Sequence, residues 1–259
     1  MKTLLLTILI TVISIKAYPQ SPDGYEMVPV TGGTFTAGKN EQERVKPTVQ
    51  VTLPDFFIGK YEVTQEFWES VMGKNPSKFT GEKNLPVEKV TWYDAVEFCN
   101  RLSEKYNLEK AYSIKEGIVS FNPAANGYRL PREAEWEFAA TGGTQRKNYL
   151  FPGSNKVGEV AWYKENSGDK THPVGLKLPN ELGLYDMAGN VREWCWDFYS
   201  ENATEADILT EAPFVLSERV TRGGNWMSSQ AILNGRDRSY DNPTIGAWNL
   251  GLRLARNSK

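Results

Sequence analysis

The feature that most constrains this chain is residues 183–197, GLYDMAGNVREWCWD. This stretch sets acidic side chains among bulky aromatic ones, and its apolar positions follow neither the helical nor the strand period. We therefore interpret it as a buried polar loop. Buried acids need hydrogen-bond partners or a cation, so the loop is the first candidate for a functional site. The acidic, amide and tryptophan residues concerned are Asp186, Asn190, Glu193, Trp194, Trp196 and Asp197.

Length and composition are those of an ordinary folded protein. The chain has 259 residues, of which 40% are hydrophobic and 24% are charged, enough for one large domain or two small ones. Its formal net charge of −2 gives no electrostatic reason to bind nucleic acid. After the first twenty residues, no segment is apolar enough to cross a membrane.

The N-terminal residues 1–20 have the pattern of a secretory signal peptide. Lys2 supplies a positive charge, residues 4–15 form a short apolar core, and Ala17 suits the cleavage site. A buried N-terminal strand is the alternative interpretation. No cysteine follows the apolar core, which argues against a bacterial lipid anchor. We therefore expect an exported protein, located in the periplasm, at the cell surface or outside the cell, with no transmembrane helix after cleavage.

Cysteine and histidine are too scarce for several kinds of site. Cys99 and Cys195 could pair in an oxidising compartment, but two buried inert thiols are an equal alternative. The single histidine, His172, excludes a multi-histidine metal site and weakens any Ser–His–Asp arrangement.

Local patterns predict a single α+β domain with two main helices, many short strands and long loops. The strongest helix is predicted over residues 91–106, where apolar residues recur at three- and four-residue spacing. Further helices are predicted at Gln65–Met72, after Thr64 as N-cap, and from about Arg132 onward. Strands are predicted on both sides of a Gly-Gly turn in 25–37, then at 48–53, 118–121, the start of 127–143, 219–226 and 250–255. Residues 200–218 read as a polar surface excursion.

Several segments together resemble the formylglycine-generating enzyme, or sulfatase-modifying factor, family. GYRLPREAEWEFAATGG, ELGLYDMAGNVREWCWD, RVTRGGNW and NLGLRLAR occur in the family's order, and EMVPVTGGTFTAG and FFIGKYEVTQEFW resemble its N-terminal part. The resemblance covers about residues 25–256. It implies a C-type-lectin-like α+β fold that is rich in loops and often binds calcium.

The resemblance also implies a calcium site in the 183–197 stretch. Asp186 and Glu193 would supply side-chain oxygens, and Gly189 and Val191 would supply backbone carbonyls, as a hard cation requires. The alternative is that Asp186 caps the turn while Glu193 pairs with an arginine. A second family calcium loop would lie near residues 162–170, where Asn166 and Asp169 are only weak candidates.

The chain departs from the family at the catalytic site. The family's enzymes use two cysteines, five residues apart after the RGG strand, to bind copper(I) and the substrate thiol. Here Ser228 and Leu233 stand at those positions, so copper is not expected and the known oxidase mechanism cannot operate. The family's disulfide is also lost, because Leu254 stands where a partner for Cys99 would be. Arg132 replaces the helix-capping Thr or Ser that is frequent in the family.

These departures favour a non-catalytic module that binds a protein or a small ligand. Its binding face would be residues 225–249, which we call the C-terminal face. Three alternatives stay open: an oxidoreductase that acts on protein cysteine through an unrecognised site, a retroelement-diversified receptor that varies in this same stretch, and a structural part of a bacterial envelope assembly. The candidate binding residues are Trp226, Asn234, Arg236, Arg238, Tyr240 and Trp248, with Asp237, Asp241 and Asn242 beside them.

Overall fold

A computed structural model describes residues 24–38, 49–201 and 218–258. The predicted signal peptide and most of the predicted surface excursion lie outside these residues. Within them the helices are α1 Gln65–Met72, α2 Trp92–Lys105, α3 Glu133–Ala140 and α4 Val157–Val160. The strands are β1 Met27–Val30, β2 Gly33–Ala37, β3 Val49–Leu53, β4 Phe56–Gly59, β5 Tyr112–Lys115, β6 Ile118–Phe121, β7 Arg192–Phe198, β8 Arg219–Arg222, β9 Ser239–Asp241, β10 Leu250–Leu252 and β11 Ala255–Asn257.

The strands form four small sheets. A three-stranded sheet has the order β1-β4-β11, a four-stranded sheet has the order β10-β7-β8-β9, and β2-β3 and β5-β6 are antiparallel pairs. β7 runs antiparallel to β8 and parallel to β10. The architecture is therefore α+β with long connections, as predicted. No helix of the described ranges is long and apolar enough to span a membrane.

The two longest predicted helices form as expected because their start signals are local. The Thr64 side chain accepts a hydrogen bond from the Phe67 amide at the start of α1. At the start of α2, Thr91 and Asp94 form a reciprocal capping box. Gly73 ends α1 in the left-handed conformation, with φ of 78°.

The central stretch differs from the prediction, because residues 192–198 are a strand and not a loop. From Glu193 to Asp197 every residue of β7 is buried, since the strand lies inside a sheet with both faces covered. Residues 193–198 do alternate, with aromatic side chains at 194, 196 and 198, but this period-2 pattern is confined to the second part of the stretch, and its polar side chains are buried as well. Only residues 183–191 remain as the predicted buried polar loop.

Four other strand predictions were wrong in their extent or connection. The strand predicted at 219–226 ends at Arg222, and the one predicted at 250–255 is two strands, β10 and β11, in different sheets. The strand before α3 is reduced to a single bridge between Arg129 and Ala255. The Gly-Gly turn at Gly32 does not close a hairpin, because β1 pairs with β4 while β2 pairs with β3.

Helix α3 is buried on all sides, although it carries three glutamates. Each glutamate pairs with an arginine from another segment, which is how a buried charge is tolerated. Their side chains are at most 8% exposed. The pairs are Glu133 with Arg238 at 2.7 Å, Glu135 with Arg129 at 2.6 Å and Glu137 with Arg222 at 2.6 Å. The helix therefore fixes three separate segments of the chain.

Candidate functional site

The segment after β8 forms a tight turn that positions the two residues standing in for the family's cysteines. Gly223 and Gly224 both have positive φ, at 97° and 69°. The Ser228 amide donates to the carbonyl of Asn225, and the Asn225 amide donates to Ser228 Oγ at 3.0 Å. Ser228 is buried, so its hydroxyl is committed to holding this turn.

Leu233 lies against the same side of Gly224 as Ser228 and belongs to a small buried apolar cluster. A Cβ added at Gly224 would lie 2.5 Å from Leu233 Cδ2 and 3.3 Å from Ser228 Oγ. The fold therefore brings Ser228 and Leu233 together, as the resemblance implies. Leu233 is fully buried in a cluster that includes Val157, Ala161 and Ala188. The space between the two positions is lined by one hydroxyl and hydrocarbon, which is a poor environment for a soft metal ion.

Neither cysteine of the chain supplies a thiolate to this site. Cys99 and Cys195 are both unpaired and fully buried, and they belong to different hydrophobic clusters. Burial in apolar surroundings raises the pKa of both thiols well above the ordinary value. Of the two alternatives that the sequence left open, the structure therefore has two buried thiols and no disulfide.

The proposed calcium residues lie together, but Glu193 already has strong partners. It pairs with Arg253 at 2.8 Å and accepts a hydrogen bond from Trp136 Nε1 at 2.6 Å. Asp186 accepts the Gly175 amide through Oδ2, while its buried Oδ1 has no hydrogen-bond partner. Burial raises the pKa of Asp186 to about 6.

A third carboxylate, Glu62, lies beside this pair and was missed by sequence reasoning. It accepts hydrogen bonds from the Asn190 side chain at 2.6 Å and from the Val191 amide at 3.1 Å. Burial, and next the charges of Asp186 and Glu193, raise the pKa of Glu62 well above its ordinary value. The only sequence signal was an acid inside the apolar segment that follows β4.

These residues fit a hard cation in charge and donor chemistry. Three buried carboxylates, those of Glu62, Asp186 and Glu193, face the single guanidinium of Arg253, and one carboxylate oxygen lacks a partner. However, no three acidic, histidine or cysteine side chains within the described ranges are arranged to hold a metal. A cation here would therefore depend on the backbone carbonyls that the resemblance assigns to it. The weaker candidates do not join this group, because Asn166 bonds within its own loop and Asp169 is exposed.

The C-terminal face presents one exposed tryptophan over one buried tryptophan. Trp226 is 6% exposed and donates to the carbonyl of Trp248 at 3.3 Å, so it supports the face from below. Trp248 is 44% exposed, and Lys78 Nζ lies 3.2 Å from the centroid of its ring. An open cavity of about 300 Å³ is lined by Lys78 and Trp248 together with Lys89, Gly246 and Ala247. Lys78 and Lys89 were also missed, since both lie far from the face in sequence.

The other candidate binding residues differ in how accessible their side chains are to a ligand. Tyr240 on β9 is 45% exposed and packs its ring 4.2 Å from that of Tyr199. Arg238 is committed to its buried pair with Glu133. Asn234 Oδ1 accepts from the amides of residues 236 and 237, and Arg236 is half-buried in a cleft beside it.

The fold defines a loop-rich α+β domain of the C-type-lectin-like kind, in which Ser228 and Leu233 lie together beside Gly224. Residues 14–258 match the sulfatase-modifying factor enzyme 1-like domain. The chain belongs to this family.

Three similar proteins illustrate the range of the family. The chain is 43% identical over 247 residues to "Chaperone protein LppX" of Paenibacillus barcinonensis, which covers 83% of this chain and 82% of that protein. It is 29% identical over 287 residues to the formylglycine-generating enzyme of Mus musculus, covering 89% of this chain and 74% of the enzyme. The solved structure of Treponema denticola variable protein 1 has a TM-score of 0.81 at 34% identity, covering 93% of this chain and 98% of that one.

Proposed function

We propose that this chain is a non-catalytic binding member of the family, which acts after export and uses its C-terminal face to hold a protein or small ligand. The observation that carries the proposal is the pair of positions flanking Gly224. One holds a serine hydroxyl that is committed to a turn, and the other holds a leucine that is packed in the core. Neither offers the thiolate that copper(I) requires.

Two further observations support a binding role. Trp248 and Tyr240 are both exposed on the C-terminal face, and aromatic side chains of this kind are frequent anchors of protein interfaces. Two similar proteins also carry names, a chaperone and a variable protein, that are not names of oxidases. The signal-like residues 1–20 support export.

The test is copper(I) competition combined with a thiol-oxidation assay. We expect the wild-type chain to take no copper(I) from a chromophoric chelator and to leave a cysteine-containing peptide unoxidised. The double variant Ser228→Cys with Leu233→Cys should compete for copper(I), because both sulfurs would lie close together on one side of Gly224. The matched control is Ser229→Cys with Leu233→Cys, which adds the same two thiols but places one on an exposed residue. Wild-type protein that binds copper(I) and forms an aldehyde on the peptide would disprove the proposal.

We also propose that the scaffold binds calcium through Asp186, Glu193 and the carbonyls of Gly189 and Val191. The excess of buried carboxylates over guanidinium groups and the unpartnered Asp186 Oδ1 support this proposal. A bound divalent cation would offset the repulsion among the carboxylates and would stabilise the folded chain.

A further inference from the structure

A narrow cleft lies between the loop that follows α3 and the loop that follows Leu233. Its polar lining comes from Arg146, Asn148, Tyr149, Glu181, Asn234 and Arg236. We propose that this cleft binds a carboxylate group of the ligand, as carried by an acidic side chain of a partner protein. The inference rests on the proposed binding function and names the chemistry of one of its contacts.

The loop that carries Arg236 is held rigidly in place. Gly235 has a φ of 75°, a backbone conformation that favours glycine, and a Cβ at this position would be crowded at 3.1 Å from Pro152 Cγ. Behind the loop, the buried Arg222 donates to the carbonyls of Arg236 and Asp237, both at 2.8 Å. Asn234 Oδ1 accepts the two amides of the same residues. A binding group on such a loop is preorganised, which lowers the entropy cost of binding.

Positive charge converges on the cleft. Arg146 and Arg236 both line it, and Arg222 lies behind it with its own charge matched by Glu137. Burial lowers the pKa of Arg236; the charge of Glu137 opposes this change, and the smaller effects of Arg146 and Arg222 add to it. An anion between the two lining guanidinium groups would relieve the repulsion between them. The Nε of Arg146 donates to Asn148 Oδ1 at 3.0 Å, which orients that guanidinium group.

The size and charge of the cleft favour a carboxylate over a larger or more highly charged anion. Its volume of about 30 Å³ is room for roughly two water molecules, the scale of one carboxylate group. Planar guanidinium groups match a planar carboxylate through paired hydrogen bonds. Glu181 also lines the cleft, and its Oε1 accepts the Lys147 amide at 2.8 Å. The lining therefore carries charged groups of both signs, and a carboxylate adds less negative charge to it than a phosphate dianion does.

The test is an NMR titration of the full chain that follows the Nε–Hε signals of Arg146 and Arg236. The probes are acetate and its neutral analogue acetamide at constant ionic strength, then acetyl-Gly-Glu-Gly-amide and its glutamine analogue. Inorganic phosphate is the third anion. The variants are Arg146→Gln and Arg236→Gln, and the control is Lys147→Gln, which removes a neighbouring exposed charge outside the cleft.

We expect saturable shifts with acetate and the glutamate peptide, and none with acetamide or the glutamine peptide. Each arginine variant should weaken binding by about tenfold or more, while Lys147→Gln should change it less than twofold. Backbone amide spectra report whether each variant is folded, and Arg146 is exposed, so its variant keeps the test independent of folding. Equal binding by all three variants, or stronger binding of phosphate than of acetate, would overturn the carboxylate assignment. Absence of any NMR shift would disprove the carboxylate site. It would not affect the outcome of the copper(I) test, so the carboxylate proposal and the proposed function can fail independently of each other.

Discussion

Asp197 should make the stability of this protein depend on pH in a direction opposite to that of most acidic residues. The side chain is buried in β7, and its Oδ2 accepts the Glu133 amide at 2.5 Å, where α3 begins. Burial, and next the charge of Glu133, raises the pKa of Asp197 from 3.8 to about 7. The perturbation is Asp197→Asn, which removes the titration and keeps a side-chain oxygen for the Glu133 amide.

The sign follows from comparing the folded and unfolded chains. Between about pH 4 and pH 7 the folded chain retains a proton on Asp197 that the unfolded chain has released. The free energy of unfolding therefore falls as pH rises through this window, and the loss is complete above it. A pKa difference of about three units at about 1.4 kcal/mol per unit gives at most about 4 kcal/mol.

Urea unfolding followed by tryptophan fluorescence between pH 4.5 and pH 8 measures this effect. The free energy of unfolding of Asp197→Asn minus that of the wild type should rise with pH by up to about 4 kcal/mol. Asp197→Ala should show the same slope, but should lie about 1 kcal/mol lower throughout because the helix loses its cap. Wild-type and Asn variant curves that stay parallel across the whole range would show that this reasoning is wrong.

Two further predictions concern the carboxylate cluster. Adding calcium to chelator-treated protein should raise its Tm by several degrees, since a ligand bound only by the folded state stabilises it. The variant Asp186→Asn should abolish this rise. An unchanged wild-type Tm in millimolar calcium would contradict the proposed calcium site. Arg253→Met should lower the free energy of unfolding by about 3–5 kcal/mol, because it leaves the buried Glu193 unpaired. The matched change Arg101→Met breaks an exposed ion pair with Glu97 and should lower the free energy of unfolding by less than about 0.5 kcal/mol in a urea experiment. Equal losses of unfolding free energy in the Arg253 and Arg101 variants would refute the argument from burial.

The parts of the fold that the sequence predicts are those whose signals are local. Helix α2 has its start signal in Thr91 and Asp94, three residues apart, and the β5-β6 hairpin closes over two residues. β7 was hidden because the alternation of residues 193–198 is short and lies in a longer stretch with no regular period, and because its acidic side chains are buried together with the aromatic ones. β1 and β2 belong to different sheets because β1 pairs with β4 and β2 pairs with β3. No residue near Gly32 specifies these pairings.

The candidate site also has parts that the sequence identifies and parts that only the folded structure reveals. The family motif alone identified Ser228 and Leu233, and the fold brings both against Gly224. The partners that define each environment come from distant segments, however. Glu62 reaches Asn190 across 128 positions, and Lys78 reaches Trp248 from the loop after α1. Such contacts are set by tertiary packing, so no spacing rule could predict them from one sequence.

The structure shows which contacts hold the C-terminal face in place. The C-terminal face is attached to α3 by the ion pair of Arg238 with Glu133. It is also attached through Arg222 of β8, which pairs with Glu137 and donates to the carbonyls of residues 236 and 237. Leu233 belongs to a separate small cluster with Val157 and its neighbours, where a leucine adds buried apolar surface. Because breaking a buried ion pair costs several kcal/mol, substitutions that keep these pairs preserve the shape of the face. The proposed loss of copper chemistry and the proposed binding role of this face are therefore compatible, since different residues are responsible for each.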